Sequence, residues 1–146
     1  PWFRHLIGEY HDSSTSDDYV LQISIDDIHS EVMNEMLNFI YTNRCFISLK
    51  NAPDLIIAAK RFELEKLRTQ IADFLLYRLT VDNAIEMLIC AHEASSEALK
   101  LACIRLINRN AEKIKRTEKW RVFKTQYIDL IPELYENRSL HWFIVV

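Results

Sequence analysis

Cys90 and His92 stand two residues apart, a nucleophile next to a base, in a segment (AIEMLICAHEA) with the apolar spacing of a helix. Residues two apart on a helix point about 200° away from each other, so the imidazole cannot take the thiol proton. His92 shares a stripe with Val81, Ala84 and Leu88 and reads as a satisfied histidine at a helix end. His5, His11, His29 and His141 are scattered with no H-x-x-x-H spacing, which leaves zinc unsupported. Cys45, Cys90 and Cys103 are odd in number, lie in or beside apolar helical stretches and have no close ligand spacing. Reduced thiols in a nuclear or cytoplasmic protein are expected rather than disulfides. Glu93 with Glu97, and Asp17 with Asp18, read as solvated faces and loops, not as a general acid and base. The Asn137-Arg138-Ser139 sequon is expected by chance in an intracellular chain. No catalytic residue, metal or cofactor is expected, and an enzyme would need a pocket of convergent polar groups that this sequence does not advertise.

One charge cluster needs its own account. Between Arg105 and Lys124 there are eight Lys or Arg against Glu112 and Glu118, a local +6 in a chain of −3, so the rest carries −9. With Trp120 among them, such residues could meet nucleic acid or an acidic partner. They fall on no single helical stripe, however, and a solvated helical surface is the favoured reading, with no nucleic acid as partner.

The elements that would carry these residues are mostly helical. The chain has 146 residues, 49% of them apolar, enough for one core or two small ones, and a single glycine and three prolines leave few tight turns. Nucleotide-binding glycine loops are excluded. No window reaches the ~18 apolar residues of a membrane span, and the first residues form no signal peptide. The chain opens at Pro1 in mid-segment (PWFRHLI) and is expected to be a piece of something longer. A short helix is predicted around Trp2 to Ile7, then an acidic loop from His11 to Asp18. Tyr19, Leu21, Ile23 and Ile25 alternate with polar or smaller residues as in a strand, whose partner is expected in Phe46 and Ile47, in another chain or before Pro1, the last being favoured.

From Ser30, a possible cap, the period becomes helical, with Val32, Met36, Phe39 and Ile40 on one stripe to about Thr42. Asn51 caps the next predicted helix, which carries Leu55, Ile56, Ala59 and Phe62; Leu64, Leu67, Ile71, Phe74 and Leu75 mark another. Thr80 precedes Val81, Ala84, Ile85, Leu88 and Ile89, and Ser95 or Ser96 precedes Leu99, Ala102, Cys103 and Leu106, which predicts an antiparallel helix pair. The Thr80 junction is the expected domain boundary. Shorter pieces follow around Ile114, from Trp120 to Phe123 and from Ile128 to Tyr135, before a tail ending HWFIVV. Phe39, Phe62 and Phe74 are expected inside and Tyr41 outside.

FIYTNRC after an amphipathic helix, then DLIIAAKRFELEKLR, then LTVDNAIEMLICAHEASSEALK, resembles the second half of a BTB (POZ) domain running into the BACK helices of speckle-type POZ proteins. The resemblance includes P-x-F-R at Pro1 to Arg4, the strand at Tyr19 to Ile25, the D-L-x-x-A-A helix at Asp54 to Ala59 and D-N-A at Asp82 to Ala84. It ends with Trp120 and L-x-x-E-x-Y at Leu130 to Tyr135. It implies a mainly α fold with an α+β remnant: a partial BTB domain over 1–79, without its first strands and helix, a BACK-like helical bundle over 80–137 and a tail over 138–146.

Functionally, the resemblance implies a non-enzymatic substrate adaptor of a cullin-3 RING ubiquitin ligase. Such an adaptor binds the cullin-3 N-terminal domain, self-associates, and holds its substrate through a separate domain. The implied cullin contacts are Ile7 and Glu9, Tyr41, Thr42 and Asn43, Phe62 and Leu64, and Val81; Tyr135 is implied in self-association. The family's hydrophobic-x-Glu triplet aligns strictly with His11, Asp12 and Ser13, whereas Ile7, Gly8 and Glu9 offer the pattern slightly earlier. The alternative is a BTB and BACK homo-oligomerisation scaffold, for instance in transcriptional regulation, without cullin binding. Rigid aromatic residues at helix ends suit either, because they supply contact area at low entropic cost.

Overall fold

The computed structural model describes residues 25–136. The opening helix, the acidic loop, all but the last residue of the expected strand, Ile7, Glu9, the His11 to Ser13 triplet, the sequon and the tail lie outside the described residues. The described chain is helical, with no strand among its residues: α1 (Ser30–Thr42), α2 (Ala52–Arg61), α3 (Glu65–Tyr77), α4 (Ala84–Glu93), α5 (Glu97–Arg109), α6 (Ala111–Ile114) and α7 (Glu118–Gln126). A last helix, α8, covers 130–136 as far as it is described. The chain divides into two compact units, Pro1–Thr69 and Gln70–Val146.

In the first unit α1 packs on α2. The buried face of α1 is Val32, Met36 and Phe39. Ile40, predicted on that stripe, is exposed, because it lies about 100° around the helix from Phe39. The partner face on α2 is built for close approach: Ala52, Leu55, Ile56, Ala58 and Ala59 are all buried, and Phe62 follows them into the core. Pro53 sits in the first turn of α2, where its missing N–H costs nothing. Asn51 occupies the N-cap position but does not cap the helix with its side chain; its amide is spent on the preceding loop, as described below. Ser30 is likewise a helical residue and not the cap, which is His29.

Without glycine at their C-termini, the helices turn on residues that pay a steric penalty. α2 ends with Leu64 N donating to Ala59 O (2.8 Å) and Glu63 N to Lys60 O (3.1 Å), the two bonds of a Schellman motif. Its left-handed position holds Glu63, at φ 57°. α4 ends in the same way: Ser96 N donates to Ala91 O (2.9 Å), Ser95 N donates to His92 O (3.1 Å), and Ser95 sits at φ 52°. A β-carbon in this region is disfavoured, yet each closure satisfies two helix carbonyls.

The second unit is built on the antiparallel pair α4 and α5, with α7 against α4 and α6 against α5. Leu88, Ala91, Leu99, Cys103 and Ile104 are at most 1% exposed. The buried face of α5 is rotated from the predicted one: Lys100, Ile104 and Ile107 are buried, whereas Ala102 and Leu106 are only half so. The cause is α8. Leu130 and Leu134 are buried, Asn108 Nδ2 donates to Leu134 O (2.9 Å), and Lys100 Nζ meets Glu133 Oε2 at 2.7 Å with the lysine side chain 10% exposed and the glutamate 39%. Thr117, in an extended conformation, caps α7 by accepting from Trp120 N (3.3 Å), which seats Trp120 and Phe123 in stacked contact within the core. Phe74, expected inside, is half-buried, with the Arg78 guanidinium 5.5 Å from its ring.

Two stability predictions follow from these features. Glu63→Gly is expected to raise the free energy of unfolding by about 0.5–1 kcal/mol, read from the urea midpoint, because glycine adopts the left-handed turn without penalty. Glu133→Gln leaves the Lys100 ammonium buried without its counter-charge and is expected to cost about 1–3 kcal/mol, discounted for the exposure of Glu133, whereas Lys100→Met costs less than about 1 kcal/mol or stabilises.

Candidate protein-interaction site

The end of α1 is shaped by its own polar side chains. Thr42 Oγ1 donates to Asn38 O (2.6 Å) and accepts from Arg44 N (3.3 Å). Asn43 then turns left-handed at φ 56°, its N–H donating to Phe39 O (2.8 Å). Asparagine tolerates this conformation better than most residues. Its amide oxygen accepts from Lys66 Nζ (3.0 Å), which ties the end of α1 to the first turn of α3 and therefore to the Glu63 turn that precedes it. Two segments about twenty residues apart in sequence thus form one surface.

On that surface the structure brings together most of the predicted residues of the first unit. The Tyr41 side chain stands free, 84% exposed, and Thr42 and Asn43 are exposed beside it. Leu64 is half-buried at the start of α3. Phe62 is 2% exposed, so its ring is core; the turn it opens presents Glu63 instead. Arg61 lies over the Phe62 ring, its guanidinium carbon 5.7 Å from the centroid, and pairs with Asp27.

Val81 and Tyr135 belong to the second unit. Val81 is half-buried in the turn before α4, where Asn83 Oδ1 accepts from Thr80 N (2.7 Å) and Asn83 Nδ2 donates to Arg78 O (3.0 Å). Tyr135 is exposed on α8 with the Lys115 ammonium 5.8 Å from its ring centre. Such an exposed cation and ring hold the side chain in place by about 0.5–1 kcal/mol.

Several surface residues escape sequence reasoning. Leu37, Ile40 and Tyr41 form an exposed apolar line at i, i+3 and i+4 on α1, and Phe46 is 71% exposed after it. Because Val32, Met36 and Phe39 already complete a buried face, a second apolar line on the same helix was the available signal.

The sulfur and nitrogen groups are arranged for packing. Cys90 is buried whereas His92 is exposed, and burial, with Cys90 adding to it, pushes the Cys103 thiol up to about 12. Cys45 is half-buried; burial first, and then the charge and hydrogen bond of Glu35, push its thiol up to about 11. No group of three or more potential metal ligands occurs among the described residues, and none of their helices is long and apolar enough to cross a membrane. Half of the eight cations of the basic run meet carboxylates: Lys119 on Glu86 (2.9 Å), Arg121 on Glu118 (3.0 Å), Arg116 on Glu112 (3.7 Å) and Lys113 on Asp82 (3.8 Å).

Exposed rings on rigid helix ends, rimmed by polar turns, are the makeup of a protein-binding surface. The BTB/POZ domain family model matches residues 1–79, more than half of the chain, and the chain belongs to the BTB/POZ family. The BTB/POZ domain is a protein-interaction and oligomerisation module, generally without enzymatic activity. The matched region contains Tyr41, Thr42, Asn43 and Leu64.

Glu35 gives this surface a chemical handle. Glu35→Gln removes the charge that opposes the Cys45 thiolate, so the thiol is expected to fall below about 11 while burial keeps it above 9.0. Iodoacetamide labelling of Cys45, followed by mass spectrometry at about pH 8, should accelerate by up to about tenfold for each unit of that fall.

Proposed function

We propose that this chain is a substrate-adaptor component of a cullin-3 RING ubiquitin ligase of the speckle-type POZ kind, working in the nucleus or cytoplasm. Its BTB part, residues 1–79, binds the cullin-3 N-terminal domain through the Tyr41 to Asn43 end of α1 and the Glu63 and Leu64 turn, with Ile7 and Glu9 completing the contact. Residues 80–137 act as a BACK-like region, with Val81 extending the cullin surface and Tyr135 serving self-association. Substrate is held by a separate domain.

The observation that carries this reading is Tyr41: a large ring 84% exposed on a helix end whose exit is fixed by three hydrogen bonds and by Lys66 from α3. A rigidly mounted, solvent-facing aromatic ring loses little entropy when it is covered by a partner. Family membership supports a protein partner, and the resemblance around FIYTNRC supports cullin as that partner.

Titration calorimetry of the cullin-3 N-terminal domain into the full chain tests the proposal. The expected dissociation constant is about micromolar or tighter, some −8 kcal/mol, and Tyr41→Ala is expected to weaken it by about tenfold or more with an unchanged circular dichroism spectrum. No heat from a folded, self-associated sample would favour the homo-oligomeric scaffold instead, with His11, Asp12 and Ser13 as the reason.

A further inference from the structure

α3 ends at Tyr77, and the residue after it carries a cation that is held against two rings. Arg78 N donates to Phe74 O (3.2 Å) and to Leu75 O (3.1 Å), and Arg78 O accepts from Asn83 Nδ2 (3.0 Å), so its backbone is held at both its N–H and its C=O. The guanidinium carbon stands 5.5 Å from the centre of the Phe74 ring and 6.0 Å from that of Tyr77. Phe74 is half-buried, Arg78 is exposed and Tyr77 is 87% exposed, so the arrangement lies at the surface. A guanidinium stacked on rings keeps its N–H donors in its own plane, directed away from the ring faces. Those donors have no hydrogen-bond or ionic partner among the described residues. Asp73, one turn before Tyr77 on the same side of α3, makes no ion pair with Arg78.

We infer that Phe74, Tyr77 and Arg78 dock an acidic segment of a partner protein, in which an Asp or Glu carboxylate takes the open N–H fork of Arg78 and a neighbouring apolar residue covers the Tyr77 ring. A carboxylate matches the fork, two oxygens to two N–H groups. The rings hold the guanidinium in advance, so less side-chain freedom is lost when the anion arrives. Arginine and tyrosine are also among the residue types that carry binding energy most often. The charge around the patch selects a single carboxylate: from Ile71 to Glu86 the sequence has one cation, Arg78, against Asp73, Asp82 and Glu86. Lys113 and Lys119, which approach from later in the chain, are paired with Asp82 and Glu86. A nucleic acid, which is bound through many cations at once, is poorly served by such a surface. All three residues lie within 1–79, the region that the BTB/POZ family matches. The inference does not depend on cullin binding, because it uses none of the residues assigned to that contact.

The test follows the Arg78 Nε–H and Tyr77 ring resonances of the full chain during titration with a capped peptide, Gly-Ser-Leu-Glu-Leu-Ser-Gly. A twin peptide carries glutamine in place of the glutamate. Shifts centred on both groups are expected, with the glutamine twin bound about threefold or more weakly. Tyr77→Ala, with an unchanged circular dichroism spectrum, is expected to weaken both peptides, and Arg78→Glu is expected to reverse the preference toward a lysine counterpart. Equal binding of the glutamine twin, shifts centred elsewhere, or no shift at all would overturn the inference. So would shifts at Arg78 and Tyr77 that grow with protein concentration in the absence of peptide, since the occupant would then be a second copy. Tighter binding of a short DNA duplex at the same resonances would overturn it in favour of nucleic acid. Tyr41→Ala should leave peptide binding unchanged, so this inference and the cullin reading fail separately.

Discussion

The chain must reverse direction between closely spaced helices with a single glycine in its whole length, and that glycine, Gly8, is at none of the described helix ends. Asn43, Glu63 and Ser95 therefore take the left-handed conformation themselves. Each pays a local steric cost so that the helix before it ends with its carbonyls bonded and the helix after it starts at a fixed angle. Two of the three reversals, Asn43 and Glu63, are linked through Lys66 and form the surface that carries Tyr41. The strain and the candidate site coincide because a helix end that stops abruptly is also one that leaves its last side chains in solvent.

A second substitution runs through the first unit, where side chains replace backbone partners. Asn51 stands at the N-cap of α2, yet its amide completes the hydrogen bonding of residues 46 and 48. Glu35 does the same from α1. In the loop the Asn51 amide makes two bonds, to Phe46 O and from Ser48 N, where capping the helix would have made one. The consequence for chemistry is direct: the Glu35 carboxylate that fixes Phe46 also keeps the nearby Cys45 thiol protonated, which makes the only half-buried cysteine of the described residues a poor nucleophile at neutral pH.

Periodicity revealed what periodicity controls. The buried faces of α1, α2 and α4 follow from Val32, Met36 and Phe39, from Leu55, Ile56 and Ala59, and from Ala84, Ile85 and Leu88, because a 3.6-residue repeat of large apolar side chains has one low-energy way to be buried. The α4 and α5 pair was legible for the same reason. Ile40, at the margin of its stripe, and the face of α5 were not, the latter because it depends on α8. A residue at the margin of a stripe is covered or bare according to its neighbour, and Lys100 looks like a surface residue until Glu133, some thirty residues on, arrives to neutralise it. Of the site, the exposure of Tyr41 was legible from its position at the end of a helix. The Lys66 link, the Glu63 turn and the burial of Phe62 were not, since they come from turn geometry that sequence spacing does not encode.

The same distinction separates binding from catalysis here. Among the described residues, Cys90 and Cys103 lie inside a helix pair, His92 faces solvent, and four of the eight cations of the basic run lie against carboxylates. Catalytic sites show the opposite, with titratable groups converging on one point and shifted toward the working pH. Among the described residues, what stands exposed at the surface of the first unit is apolar area at Tyr41 and Phe46. Such area is covered when another polypeptide docks on it, in accord with the interaction module to which the family match assigns residues 1–79.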